Sequence, residues 1–329
     1  MLLLAELHAP YPMLFAADFK EKVWGSRRLE SWFEDMPPRP APIGEAWVLS
    51  AHPNGPTGVS NGRLAGQTLA EIYPEFPLLI KVLSCEDDLS VQVHPPDHYP
   101  GLPIGESGKS EVWLVLEAAP GASIIHGLAE SVTPELLKGA LTAGIAADIM
   151  DCFRRVPVAA GDLIPVPPGT VHALGAGLVV AEVQQSSDTT YRLWDYGRLG
   201  IDGKPRELHV ERALEVVSYS RPPAITRPFA FELKPNTARL VCSFANFDVW
   251  RSTCSGRWQR SASSGTFRAI LVLSGHGTLQ WDDDQSRPGN PSQRIALRPG
   301  LSVLIPASCP DYTVQCDQSQ LRLLEVTLA

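Results

Sequence analysis

The chain has 329 residues, with 28 Lys and Arg against 36 Asp and Glu, for a formal net charge of −8. That length accommodates one large domain or two ordinary ones; 44% hydrophobic and 19% charged residues, with no single-sign block, exclude extensive disorder and provide for a packed core. An acidic balance without Lys/Arg clusters weighs against nucleic acid and against a membrane surface, so small molecules are the expected partners.

The opening MLLLAELHAPYPMLF is apolar, but it lacks a basic start and carries Glu6, His8 and Pro10 before any cleavage-like site, so it does not read as a signal peptide. No run of about 18 uncharged apolar residues predicts a spanning helix. The six cysteines (Cys85, Cys152, Cys242, Cys254, Cys309, Cys316) have no CxxC spacing. Reduced thiols and a cytoplasmic location are expected.

Thirty prolines and 26 glycines are too many for a helical bundle. Short β-branched runs bounded by those residues predict strands at 77–84, 89–95, 111–118, 177–185, 267–275, 277–281, 293–300 and 301–307, an all-β double-sheet architecture. The exception is SVTPELLKGALTAGIAADIMDCFRRV, which predicts two short helices: Ser131 or Thr133 can cap, Pro134 suits the first turn, Glu135 lies near the positive end, and Gly144 can break the run. A further helix is predicted in RELHVERALEVVSY, ahead of the Pro-rich SRPPAITRPFA (220–230), which marks the expected domain boundary.

The sharpest local signal is GDLIPVPPGTVHALG, from Gly161 to Gly175. Gly161 and Asp162 predict a turn, Leu163 to Val166 a strand, and Pro167-Pro168-Gly169 a second turn, after which His172 begins another strand. Gly169 reverses the chain because glycine alone takes positive φ freely. The spacing of Gly, five residues, Pro, one residue, Gly, two residues and His is the second cupin signature. Upstream, LSVQVHPPDHYP places Ser90, Gln92 and His94 at alternate strand positions, so the three share a face opposite Val91 and Val93. Inside a barrel such a triplet is costly unless paired or ligating; on its own it reads better as a solvent face. Glu111, at the head of an apolar strand, reads on its own as a solvated strand end. Together Gln92, His94, Glu111 and His172 offer two imidazoles and two oxygen donors, suited to Zn²⁺ with an open position and tolerable to Fe²⁺, Mn²⁺, Co²⁺ or Ni²⁺.

The segments LSVQVHPPDHYP, GKSEVWLVLEA, VPPGTVHALG and VAEVQQSSDTTYRLWDYGR, with KVWGSRRLESWF and PIGEAWVLSAHPNGPTGVSNGRLAGQTLAEI before them, closely resemble type I phosphomannose isomerase (mannose-6-phosphate isomerase) in its short bacterial form, over roughly residues 17–218. The resemblance implies a cupin jelly roll, one catalytic zinc on Gln92, His94, Glu111 and His172, and metal-dependent interconversion of mannose 6-phosphate and fructose 6-phosphate. It also points to Lys109, Glu182, Asp188 and Arg192 as active-site groups, and to Ser90 and Arg198 near the sugar phosphate. Arg198 stands where relatives carry Lys, and Pro96 interrupts the usual residues after His94-Pro95.

Several of these residues have plainer readings. From its neighbours alone Arg192 is a surface strand arginine, Asp188 a turn residue bonded to its own backbone, and Lys109 a solvated loop lysine. Glu182, inside VVAEV, lies in a run too apolar for a solvent-facing carboxylate and reads as a pocket group before any resemblance is counted. His98, His126, His209 and His276 read as surface or satisfied structural histidines, and Trp47, Trp113 and Trp194 as buried packing.

The expected division is a catalytic cupin over residues 1–227, with a helical insertion near 131–155, and a degenerate second cupin over 228–329. In the latter, Gly300 and Pro306 keep the signature spacing, but Ser308, Pro310 and Asp311 occupy its remaining positions. Two other classes are open: an Fe²⁺ dioxygenase cupin, against which Gln92 argues, and a non-catalytic sugar-binding bicupin, against which the set Lys109, Glu182, Asp188 and Arg192 argues.

Overall fold

Strand periodicity organises the first half of the chain, because alternate side chains face two different layers. The computed structural model describes residues 11–33, 36, 38, 41–227, 233–262, 265–282, 293–317 and 319–329. A six-stranded antiparallel sheet runs in the order Leu163–Val166, Glu111–Ala118, Leu178–Gln185, Leu78–Cys85, Ile43–Ser50, Asp18–Ser26. A five-stranded sheet faces it, in the order Tyr191–Trp194, Val91–Val93, His172–Leu174, Ser123–Leu128, Phe153–Pro157. Leu83, Trp113, Val115, Ile124, Ile164, Leu174 and Val180 pack in one cluster between them. This is the expected mainly β cupin sandwich.

All eight residues of Leu78–Cys85 and of Leu178–Gln185 are buried. Leu78, Ile80 and Val82, with Val179, Ala181 and Val183, turn to the outer core, where they meet the second half of the chain. That half contributes a seven-stranded sheet, Thr237–Ser243, Phe247–Cys254, Leu321–Leu328, Arg268–Ser274, Ser302–Ile305, Met13–Ala16, Gly58–Val59, and a four-stranded one, Arg257–Arg260, Tyr312–Cys316, Gly277–Trp281, Gln293–Leu297. Two strands of the first half thus lie in the second half's sheet, with Phe15 opposite both Ser302 and Val59. The division at 227/228 remains a proposal, and this shared sheet qualifies it. The opening residues 1–10 and residues 228–232, at the proposed boundary, lie outside the described residues.

Thr133 caps Pro134–Ala143 by accepting from the Leu136 amide, and Gly144 ends it at φ 70°. A second helix, Ala146–Asp151, follows. The helical reading of FRRV is corrected: Phe153–Pro157 is a strand paired with Ser123–Leu128, consistent with its in/out alternation. The helix predicted over 206–219 shrinks to Val210–Val216, leaving Arg206 in an irregular segment. These three helices cover the outer face of the five-stranded sheet, where Leu137, Ile149 and Ala213 pack with Val91, Val93, Ile125, Ala173 and Leu193. Among the described residues no helix is long and apolar enough to cross a membrane.

Leu137 is fully buried beneath this cover. Leu137→Ala is expected to cost about 2–5 kcal/mol, read as a lowered midpoint in chemical denaturation with metal binding retained.

Candidate active site

Cross-strand register assembles the site from residues far apart in sequence. On the five-stranded sheet Arg192 lies opposite Gln92, Gln92 opposite His172, and His172 opposite His126. On the facing sheet Trp47 lies opposite Lys81, Lys81 opposite Glu182, and Glu182 opposite Trp113. Residues directly opposite on a ladder share a face, so each row presents its side chains together. The polar triplet of Ser90, Gln92 and His94 therefore does not face solvent: Ser90 and His94 are buried, Gln92 is half-buried, and Val91 and Val93 lie under the helices.

His94, Glu111 and His172 converge, with ligand atoms within 4.8 Å of one another. Nε2 of His94 is 3.3 Å from one Glu111 oxygen, and Nε2 of His172 is 3.3 Å from the other. Each ring is fixed from behind, where Nδ1 of His94 donates to the Thr189 carbonyl at 2.9 Å and Nδ1 of His172 to the Thr170 carbonyl at 2.8 Å. With Nδ1 protonated, each neutral ring directs the Nε2 lone pair inward. Gly169, at φ 82°, donates to the His94 carbonyl and so joins the predicted turn to the first histidine. The Gln92 amide lies 3.3 Å from His172 Nε2 through its nitrogen, and half a turn about its last bond exchanges that nitrogen for the oxygen.

Burial, reinforced by Lys109, pushes the His94 imidazole down to about 3, and burial lowers His172 as well. Burial alone would raise Glu111, but Lys109 and the two histidines overcome it and hold the carboxyl well below its ordinary range. The cluster is thus a carboxylate and two neutral imidazoles, the protonation states that metal ligation needs. Both Glu111 oxygens are buried without a hydrogen-bond donor; the Lys109 ammonium stands 3.0 Å from one of them as an ion pair and donates to His94 Nε2 at 3.1 Å. A buried carboxylate is stable only when paired or on a cation. This donor set fits a divalent metal.

Beside it opens a cavity of about 290 Å³ whose walls include Lys22, Lys81, Lys109, Arg192 and Arg206 against Glu45, Glu182 and Asp188. Five cations to three carboxylates, on a chain of net charge −8, make a local attractor for an anion. Lys81 stands between two carboxylates, 3.7 Å from Glu45 and 3.6 Å from Glu182. Their environments drive the two apart. Burial would raise Glu45, but Lys81 and Lys22 bring it down to about 2. Burial and the nearby Glu111 charge push Glu182 up to about 7 against the pull of Lys81. The Trp113 indole donates to Glu182 at 3.1 Å and stacks edge-on to His172, so this tryptophan lines the site as well as packing the core.

Ser90 accepts from Arg192 Nε at 3.1 Å, and Arg192 also donates to the Glu207 carbonyl. Asp188 is exposed at the cavity edge, where it accepts from Asn54 at 2.9 Å. Arg198 is not on the described cavity wall; it bonds Asp195 and the Asp88 carbonyl. Arg206 is on the wall, held bidentate by the same Asp195. Sequence reading missed Arg206 inside a predicted helix. It also missed Lys81 and Glu45, although each is a charge in an apolar strand run, the signal that singled out Glu182. Of the four histidines set aside, His98 and His276 are exposed and His209 is half-buried. His126 is buried, with Nε2 donating to the Pro165 carbonyl at 2.9 Å.

A family model, phosphomannose isomerase type I catalytic domain, matches residues 13–106. A mannose-6-phosphate isomerase of Streptococcus mutans is 36% identical over 320 residues, covering 93% of this chain and 96% of the relative. One from Bacillus subtilis is 36% identical over 286 residues, covering 82% and 87%. The crystal structure of the mannose 6-phosphate isomerase from Bacillus subtilis matches with a TM-score of 0.80 and 31% identity, over 96% of this chain and 99% of that one. The likeness runs through both halves of the sandwich, well past the segment that the family model matches, and the chain belongs to the type I phosphomannose isomerase family.

Proposed function

We propose that the protein is a mannose-6-phosphate isomerase, which interconverts mannose 6-phosphate and fructose 6-phosphate by proton transfer through a cis-enediol, with one zinc ion on Gln92, His94, Glu111 and His172. The observation that carries this reading is the buried Glu111 carboxylate between the Nε2 atoms of two histidines, with Lys109 as its one cationic neighbour, beside a small cavity richer in cations than in carboxylates. Other divalent ions suit the same ligands. The six dispersed cysteines, without CxxC spacing, support a cytoplasmic setting.

When bound, the ion supplies Lewis-acid stabilisation of negative charge on the sugar oxygens. The chain's own residues do the rest. Glu182, aimed by the Trp113 indole and flanked by Lys81, moves the proton between C1 and C2. Lys109 offers its ammonium to charge developing on the adjacent oxygens. Arg192 and Arg206 bind the phosphate dianion through planar, permanently charged forks, with Ser90 orienting Arg192 and Arg198 sharing Asp195 behind Arg206. Asp188 borders the entrance.

Activity in a coupled assay on mannose 6-phosphate is expected to vanish when the protein is stripped of metal and to return with Zn²⁺; absence of turnover with any divalent metal overturns the assignment. His172→Ala is expected to lose bound metal, whereas Arg192→Ala keeps it and loses turnover, and a fully active, metal-loaded Arg192→Ala protein means that another cation takes the phosphate.

Glu182 works as a base only when ionised, so kcat/KM is expected to rise with pH through a midpoint at or below about 7, since a cation on Glu111 offsets part of the charge that raises it. Glu182→Gln should remove that ionisation from the profile and cost roughly 10²- to 10⁴-fold in kcat. An unchanged profile would assign the base to another group.

A further inference from the structure

Between His94 and Glu111 the chain makes a loop, and a second strand-to-strand connection, residues 186–190, passes beside it. One carboxylate joins the two. Oε2 of Glu106 accepts from Ser187 Oγ at 2.8 Å, from the Asp188 amide at 3.0 Å and from Thr189 Oγ1 at 3.1 Å. Its other oxygen faces His52 Nε2 at 3.2 Å. The Asn54 amide donates to His52 Nδ1, so the proton of that ring is on Nε2 and points at Glu106. Asn54 also donates to Asp188, closing the ring of contacts.

Thr189 is the residue whose carbonyl receives the His94 Nδ1 proton. The chain of contacts therefore runs from Glu106 to the 187–189 turn, from its carbonyl to the imidazole, and from the imidazole to the Glu111 carboxylate. Four donors on one carboxylate form a charge-assisted anchor that no neutral side chain reproduces. The amide of a glutamine would turn N–H groups toward one of the donor sets.

Resting on the reading of His94 as a metal ligand, we propose that Glu106 is a positioning residue of the metal centre, fixing the orientation and tautomer of His94 through the Thr189 carbonyl. The loop does not depend on Glu106 for its general course. Asp97 accepts from the Gly108 amide and from Gln185, Gln185 accepts from the Ser110 amide, and Asn246 of the second half donates to Asp97. Loss of the Glu106 charge thus loosens the support behind His94 while the rest of the loop stays tied.

The test compares Glu106→Gln with the unaltered protein by chelator competition for Zn²⁺ and by the visible spectrum of the Co²⁺ form, alongside the thermal midpoint. The expected result is metal affinity reduced by about 10- to 100-fold and a changed Co²⁺ spectrum, with a lower kcat and an unaltered KM. Thr189→Val and Ser187→Ala each remove one donor and keep the charge, so each should shift affinity in the same direction by less; they carry the test if Glu106→Gln does not fold. Unaltered metal affinity and spectrum in these variants overturn the proposal. Failure of the unaltered protein to bind either ion instead overturns the reading of the metal site.

Discussion

Three groups with electron pairs to donate face one another in the interior: the Glu111 carboxylate and the Nε2 atoms of His94 and His172, at 3.3 Å, with only the Lys109 ammonium among them. Desolvating a carboxylate costs several kcal/mol, and the Lys109 ammonium at 3.0 Å is the one full charge close by that offsets it. The arrangement persists because both imidazoles are fixed from behind by backbone, His94 at the Thr189 carbonyl and His172 at the Thr170 carbonyl, and because strand register leaves the side chains no other face to occupy. A site built this way is organised before its ion arrives.

The rest of the architecture follows from keeping that register. A sheet that presents Lys81, Glu182 and Trp113 on one side must bury Ile80, Val82, Ala181 and Val183 on the other, and the second half supplies the cover. It does so through a shared sheet as well as by packing, since Met13–Ala16 pairs with Ser302–Ile305. The second half has a fully buried carboxylate of its own, Glu325, answered in a different way: Arg260 and Arg268 both pair with it, and Ser252 bonds it. Burial would raise that carboxyl, but the two guanidiniums and the serine bring it down to about 2. One half offers its buried carboxylate to a cation from outside. The other satisfies it with its own arginines.

Local chemistry was legible in the sequence wherever it was carried by short-range rules. Thr133, Pro134 and Gly144 delimit a helix by cap, first-turn fit and positive φ, and Gly169 turns the chain where the motif requires it. Gln92, His94, Glu111 and His172 could be proposed as a group from residue type, and they do lie together. What sequence could not supply was the pairing across strands. Whether Val91 and Val93 or the polar triplet faced the interior depends on helices more than forty residues later, and both sets are in fact enclosed. Arg198 and Arg206, three and eleven residues after Asp195, both bond it, and only the irregular path before Val210–Val216 decides which one reaches the cavity wall.

Electrostatic coupling runs along the six-stranded sheet that walls the cavity. The carboxyl of Glu182 is held near neutrality by burial and by the Glu111 charge on the same sheet. Glu45, beside the same lysine but with Lys22 as a second partner, stays ionised. Two carboxylates with one lysine between them are thus sorted into a fixed anion and a titrating group by what stands on their far sides, the separation of roles that acid/base chemistry at neutral pH requires. A cation on Glu111 acts on one part of this device, offsetting the charge that raises Glu182 while leaving Glu45 to hold Lys81 in place. The occupancy of the metal ligands therefore sets the proton affinity of the carboxyl facing them, and that coupling follows from the order of side chains along a single sheet.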